Sequence, residues 1–317
     1  MHQNILRINN PVKGTEYLFS YGRTRGIRLC LSEGGVTISV RTRACYKESF
    51  TGSYLENLFK EGIKRSSLIY YLRYQRPLNI HSIIFSADNQ QIDLTQSLIL
   101  YSLIDQKPIR SIGDCWKDPL ILQKVLNYQK SKTALSREMA ALYAYLYSKT
   151  KKNETERFSY LWMSMNGLYG AISPEIKNND RVQMGRMLSK VQLGSETLTK
   201  DNRDSPCRKM MIRLINEKEP ITRAYIESKS YNSFSEFIAS ALPTDNNGKS
   251  YDLTPYGFLI TDFPYYLRCK LFHANKPIEL FSFIDDMELK SLRIANGLLE
   301  EFLDDNLHKL FIGEFKN

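Results

Sequence analysis

The sequence predicts an α+β protein: a small, basic, mixed and largely antiparallel domain over residues 1–110, followed by an all-α domain over residues 111–317. Three observations carry this. Short β-branched or aromatic runs, parted by Gly-containing turns, crowd the first hundred residues. In "DQKPIRSIGDCWKDP" (Asp105–Pro119) Pro, Gly and Asp interrupt any periodic pattern, and the boundary falls there. Beyond it, apolar residues recur at helical spacing.

Taken in order, "TEYLFSY", "GIRLCLS" and "GVTISVRTR" read as a small antiparallel meander. Val36, Ile38 and Val40 alternate with Thr37, Ser39 and Arg41, which gives one apolar face and one polar, basic face. Ser53 to Arg65 reads as a helix with Leu55, Leu58, Phe59 and Ile63 on one stripe. "LNIHSIIFSADNQQIDLT" reads as a strand, an Asp-Asn turn and a return strand, with His81 a structural residue inside the first. In the second half, "SREMAALYAYLYSK" opens on a Ser136 cap. "ETERFSYLWMSMNGLYGAI" is the clearest amphipathic helix, with Phe158, Leu161, Trp162, Met165, Leu168 and Tyr169 as a core stripe and Ser173–Pro174 as its stop. The basic stretch from Asn178 to Pro220 is helical in pieces, and Leu242–Gly257 is a loop. A last helix opens near Asp285, Asp286 and Glu288, acids that suit the positive end of a helix dipole, and buries Leu292, Ala295, Leu299 and Phe302.

Composition excludes several classes. The N-terminus lacks the basic and apolar regions of a secretory signal. The longest apolar run, "SLILYSLI", is far short of the roughly 20 residues a membrane span needs. Five scattered cysteines without a CxxC pair fit reduced thiols in a cytoplasmic protein. No phosphate-cradling GxxxxGK[ST] loop, no GxGxxG, no HExxH and no GxSxG elbow is present, so the sequence implies neither a nucleotide cofactor nor a bound metal. The net charge of +10 is uneven: Met1–Arg76 holds thirteen Lys/Arg against five Glu and no Asp, a surplus of eight. Arg23, Arg25, Arg28, Arg41 and Arg43 cluster there with Tyr21 and Tyr46 close by. Such a mixture holds a nucleic-acid backbone or forms a solvated strand face, and both readings are open.

Histidine is scarce: only His2, His81, His273 and His308. "PYYLRCKLFHANKP" therefore stands out, with Arg268 and His273 in an apolar stretch predicted to be helical from Asp262 to about Asn275. Five positions along a regular helix leave the two side chains roughly 140° apart. A frayed last turn, or a second copy across a two-fold axis, brings such groups together. An Arg clamps a phosphate and a His shuttles protons near neutral pH, which are the parts needed to cleave RNA by its own 2′-hydroxyl. The alternative is a helix end at which His273 favours the dipole and Arg268 pairs with a carboxylate such as Asp285 or Asp286.

The stretch "YYLRCKLFHANK" resembles the Arg-x4-His signature of HEPN domains, and "ETERFSYLWMSMNGLYGAI" is similar to the preceding helix of the Apea-like branch. The resemblance covers roughly Cys115 to Asn317. It implies a helical bundle that forms a homodimer, with two Arg-His motifs facing one cleft, and metal-independent endoribonuclease activity in a phage-defence or toxin-like system. RNA is then the substrate, and an antitoxin or regulatory partner is implied. By position, Arg268 would stabilise the phosphorane and His273 would act as general base or acid. Asn166 would orient the motif helix or lie on a helix surface. Cys269 and Lys270 flank the arginine, and Lys270 reads equally as a phosphate contact or a surface lysine. A non-catalytic HEPN module that dimerises and binds RNA or a protein is the alternative function.

Overall fold

The computed structural model describes residues 2–21, 25–42, 54–87, 90–99, 106–128, 136–174, 176, 179–191, 255–272 and 286–315. These bear out the α+β class. The chain divides into two compact units, Met1–Ser131 and Lys132–Asn317.

In the first unit the strands β1 (His2–Asn9), β2 (Thr15–Tyr21), β3 (Arg25–Ser32), β4 (Gly35–Thr42), β5 (Ile83–Ala87) and β6 (Gln90–Asp93) form one antiparallel sheet in the order β2-β3-β4-β1-β5-β6. The expected meander is β2-β3-β4. Sequence patterning did not mark β1, which is nevertheless a central strand, pairing β4 on one side and β5 on the other. Alternation holds in β1, β3, β4 and β5, where Leu6, Ile8, Ile27, Leu29, Ile38, Val40 and Phe85 are buried on one face. Each fully buried side chain of this kind contributes about 1.5–3 kcal/mol.

Helix α1 (Tyr54–Tyr74) covers that apolar face. It runs well past Arg65, where the sequence stripe ends, because Leu68–Leu72 is buried all round. Phe59 meets Phe85 edge-on with ring centroids 5.8 Å apart. A Cβ at Gly62 would touch Ile38 side-chain atoms at 3.1 Å, so the missing side chain seats α1 on β4.

His81 is a correction: it precedes β5, is exposed, and is fixed through its backbone. Asn9, which ends β1 at φ 58°, accepts from the backbone N–H of His81 (2.7 Å) and of Ser82 (3.2 Å) and donates to the Asn79 carbonyl (2.7 Å). Asn tolerates this left-handed backbone better than most residues. A short helix α2 (Thr95–Leu98) follows β6.

The division at Ser131 lies beyond the one read from sequence at residue 110. A 3-10 turn at Asp114–Lys117 buries Trp116, and α3 (Pro119–Asn127) buries Leu122 and Val125, all within the sheet unit. Asp118 caps α3 by accepting from the Leu120 N–H at 2.8 Å, with Pro119 at the first position. Gln123 of α3 closes the edge strand β2, accepting from the Leu18 N–H at 2.9 Å and donating to the Leu18 carbonyl. The backbone pair of Leu18, covered in this way, no longer invites another strand.

The second unit is helical over its described residues: α4 (Arg137–Thr150), α5 (Glu154–Ile172), α6 (Asp180–Lys190), α7 (Pro255–Ile260), α8 (Asp262–Phe272), α9 (Asp286–Asn306) and α10 (Lys309–Ile312). Ser136 caps α4 by accepting from the Met139 N–H, as expected. Helix α5 matches its predicted span, is capped by Asn153 and buries the whole predicted stripe. It is the central helix, packed against α4, α6, α8, α9 and α10. The predicted stripe of α9, Leu292, Ala295, Leu299 and Phe302, is buried. The loop expected to run to Gly257 gives way earlier, since Pro255 opens α7. The motif helix is described to Phe272, so its predicted last turn and Asp285 lie outside the described residues.

Candidate functional site

Helix α8 carries Arg268 because Phe263 and Leu267 are buried and fix its rotation. Arg268 itself is half-buried, with its guanidinium carbon 5.9 Å from the centroid of the Tyr265 ring. That ring meets Trp162 of α5 at 6.2 Å in an edge arrangement, and Trp162 stacks on Phe158 at 6.4 Å. The aromatic stripe of α5 thus serves as core and also as the platform beneath the arginine. A cation over a ring face gains about 0.5–1 kcal/mol at exposed sites and more when desolvated.

Asn166 is exposed on α5, and its side-chain oxygen accepts from the Tyr169 hydroxyl, one turn further on. The Tyr169 hydroxyl also shares a hydrogen bond with Asp180, which opens α6. Burial first, and then the Asp180 carboxylate, push the Tyr169 phenol well above its ordinary range, while the Arg268 charge pulls the other way. With one proton and two acceptors facing it, the phenol stays neutral. Three helices therefore bring together Asn166, Tyr169, Asp180, Tyr265 and Arg268. The cluster offers a half-buried cation and an exposed amide, a pair able to bind a phosphate oxygen or a sugar hydroxyl, while the buried Tyr169 hydroxyl, already engaged, links α5 to its neighbours.

His273 lies outside the described residues. Cys269 and Lys270 belong to α8. In the first unit Arg28 and Arg41 are exposed on the sheet face opposite α1, and Arg25 begins β3; Arg23 and Arg43 lie outside the described residues. Sequence reasoning missed Tyr169, Asp180 and Tyr265. Tyr169 had a local signal, since i and i+3 share a helix face with Asn166. Asp180 had none, because only packing brings the start of α6 to the middle of α5.

A second charged constellation was also missed. Lys149 of α4 is 1% exposed and pairs with Glu300 at 2.5 Å and Asp304 at 3.3 Å, both on α9. Arg157 of α5 pairs with Glu300 and, at 3.3 Å, with Glu154. Asn296 donates to the Glu154 carboxylate at 2.7 Å. This network ties three helices together.

No protein-family model, curated protein or solved structure matches the chain. Among the described residues no helix is long and apolar enough to cross a membrane.

Proposed function

We propose that the chain is a metal-independent endoribonuclease of the HEPN type. The observation that supports this best is the setting of Arg268, a half-buried guanidinium seated over Tyr265 beside the Asn166–Tyr169–Asp180 cluster. In this reading the helices of the second unit belong to a HEPN bundle. Two copies form a homodimer in which both Arg-His pairs serve one cleft.

The chemistry is a transesterification. A 2′-hydroxyl loses its proton to an imidazole and its oxygen attacks the adjacent phosphorus. The bond to the 5′-oxygen breaks, and that oxygen takes up a proton. Arg268 stabilises the charge gathering on the phosphorane oxygens, and His273 moves the proton. The products carry a 2′,3′-cyclic phosphate and a 5′-hydroxyl. Because Arg268 is held over a ring, little of its freedom remains to be lost in the transition state, which is where fixed donors act most strongly. A role in phage defence or a toxin-like system, with a controlling partner, belongs to the same proposal.

The test is incubation of the purified protein with RNA in excess EDTA, beside Arg268→Ala and His273→Ala variants. Each substitution is expected to lower the cleavage rate by about 10²-fold or more, the scale of a lost general base or oxyanion donor. Cleavage that survives either change overturns the reading. Binding without fragments replaces it with the non-catalytic module.

A further inference from the structure

We propose that the open face of the N-terminal sheet is a docking surface for the sugar-phosphate backbone of single-stranded RNA, held by Arg7, Arg28 and Arg41 around Ser39. The choice of RNA rests on the proposed function; the case for a polyanion rests on the sheet itself.

Strand register sets the geometry. Ser39 on β4 pairs with Arg28 on β3 and with Ile5 on β1. Arg41 lies two residues along β4 from Ser39, on the same face. Arg7 on β1 pairs with Thr37, so it sits diagonal to Ser39. With strands about 4.8 Å apart and a rise of about 3.4 Å per residue, each arginine Cα lies roughly 5–9 Å from that of Ser39. All three arginines are exposed, and they occupy the three central strands β3, β4 and β1. Sequence clustering pointed to Arg28 and Arg41; Arg7 joins them only through the pairing of β1 with β4.

Several cations elsewhere in the unit are already neutralised. Lys60 pairs with Glu56, Arg65 with Glu61, and Lys117 with Asp114. Among the described residues no carboxylate pairs with Arg7, Arg28 or Arg41. The carboxylates of this face are Glu16 and Asp93 on the two outermost strands, and Asp93 is already engaged by Thr95 at 2.6 Å. An unneutralised triangle of guanidinium groups raises the local potential for anions, and each can grip a phosphate bidentately. Ser39 and Thr37 between them supply hydroxyls, and Ser86 already accepts from Arg7 at 3.3 Å.

The same face argues against an acidic protein as occupant. A protein interface centres on well-packed apolar or aromatic anchors, whereas the middle of this face is Ser39, Thr37 and a half-buried Ile5. Its described residues include no ring for base stacking, so binding is through phosphates and independent of base sequence.

The test measures binding of fluorescein-labelled oligo(U) to the full chain by anisotropy across a salt titration. EDTA and a His273→Ala background keep the probe intact. Replacing Arg7, Arg28 and Arg41 together by Gln is expected to weaken binding at least about tenfold at low salt and to flatten the slope of log K against log salt by about 2, three phosphates at about 0.7 each. The matching Lys triple keeps the charges and is expected to keep the slope. Unchanged affinity and slope in the Gln triple overturn the proposal. So does a Lys triple as flat as the Gln triple, or a poly-Glu peptide that competes as well as unlabelled oligo(U). Cleavage is scored separately with Arg268→Ala: triple-sensitive binding without cleavage overturns only the proposed function, and cleavage with triple-insensitive binding overturns only this surface.

Discussion

Lys149 is buried to 1% exposure, and an ammonium in that position stays charged only if its lost hydration is replaced. Glu300 and Asp304 supply that replacement, and the Tyr145 ring lies 4.7 Å from the same nitrogen. Removing one member of such a set leaves an uncompensated charge, which costs about 3–5 kcal/mol in buried pairs. Arg157 continues to neutralise Glu300 if the lysine is lost, and Asp304 reaches solvent, so the lower end applies. Lys149→Met is therefore expected to lower stability by about 3 kcal/mol in urea titration. A loss below about 1 kcal/mol would mean that the network sets the arrangement of α4, α5 and α9 without supporting its stability.

Where α4 crosses α5, the residue types are chosen by distance. A Cβ at Gly167 would stand 2.6 Å from the Ala141 Cβ and 2.8 Å from the Arg137 carbonyl oxygen, so the helices meet there through backbone. Gly167→Ala gains about 0.8–1 kcal/mol of helix propensity but overpacks the contact by about 1–3 kcal/mol. Neither neighbour is the flexible end of a side chain, so the clash wins. A net loss of about 1 kcal/mol is expected, read as a lower Tm; a variant more stable than the parent would show that the helices can part freely. Gly170 is a milder case, because its nearest neighbour is the Arg137 guanidinium, which also donates to the Gly170 carbonyl at 2.7 Å. Helix α5 was legible from sequence because its signals are local: a six-residue apolar stripe and a Ser-Pro stop. Strand β1 was not, because "HQNILRIN" has two Asn, and its strand character comes from β4 and β5 on either side. The approach of Tyr169 to Asp180 and Arg268 is likewise tertiary, so Arg268 could be singled out by its motif while its surroundings could not.

At the scale of the whole chain, the placement of residues 111–128 decides what each unit can do alone. Composition shifts near Asp105–Pro119, where Pro, Gly and Asp end periodic structure, and such a shift predicts a boundary. Residues 106–113 carry no helix or strand, but the turn and helix after them pack on the sheet unit. Trp116 and Leu122 are fully buried, Arg73 of α1 donates to the Lys117 carbonyl at 2.7 Å, and Gln75 donates to the Ile112 carbonyl at 3.2 Å. Gln123 meanwhile closes the β2 edge. A chain trimmed to Met1–Ser131 keeps all of these contacts and is expected to unfold cooperatively in urea with a native near-UV signal. One trimmed at residue 110 loses two fully buried side chains, Trp116 and Leu122, worth about 1.5–3 kcal/mol each, and reopens an edge strand. Stabilities of single domains are only about 5–15 kcal/mol, so that loss is expected to leave a non-cooperative or aggregating product. Equal cooperativity in the two trimmed chains would show that Trp116 and α3 cover the sheet without being needed to hold it, and would return the boundary to where composition first put it.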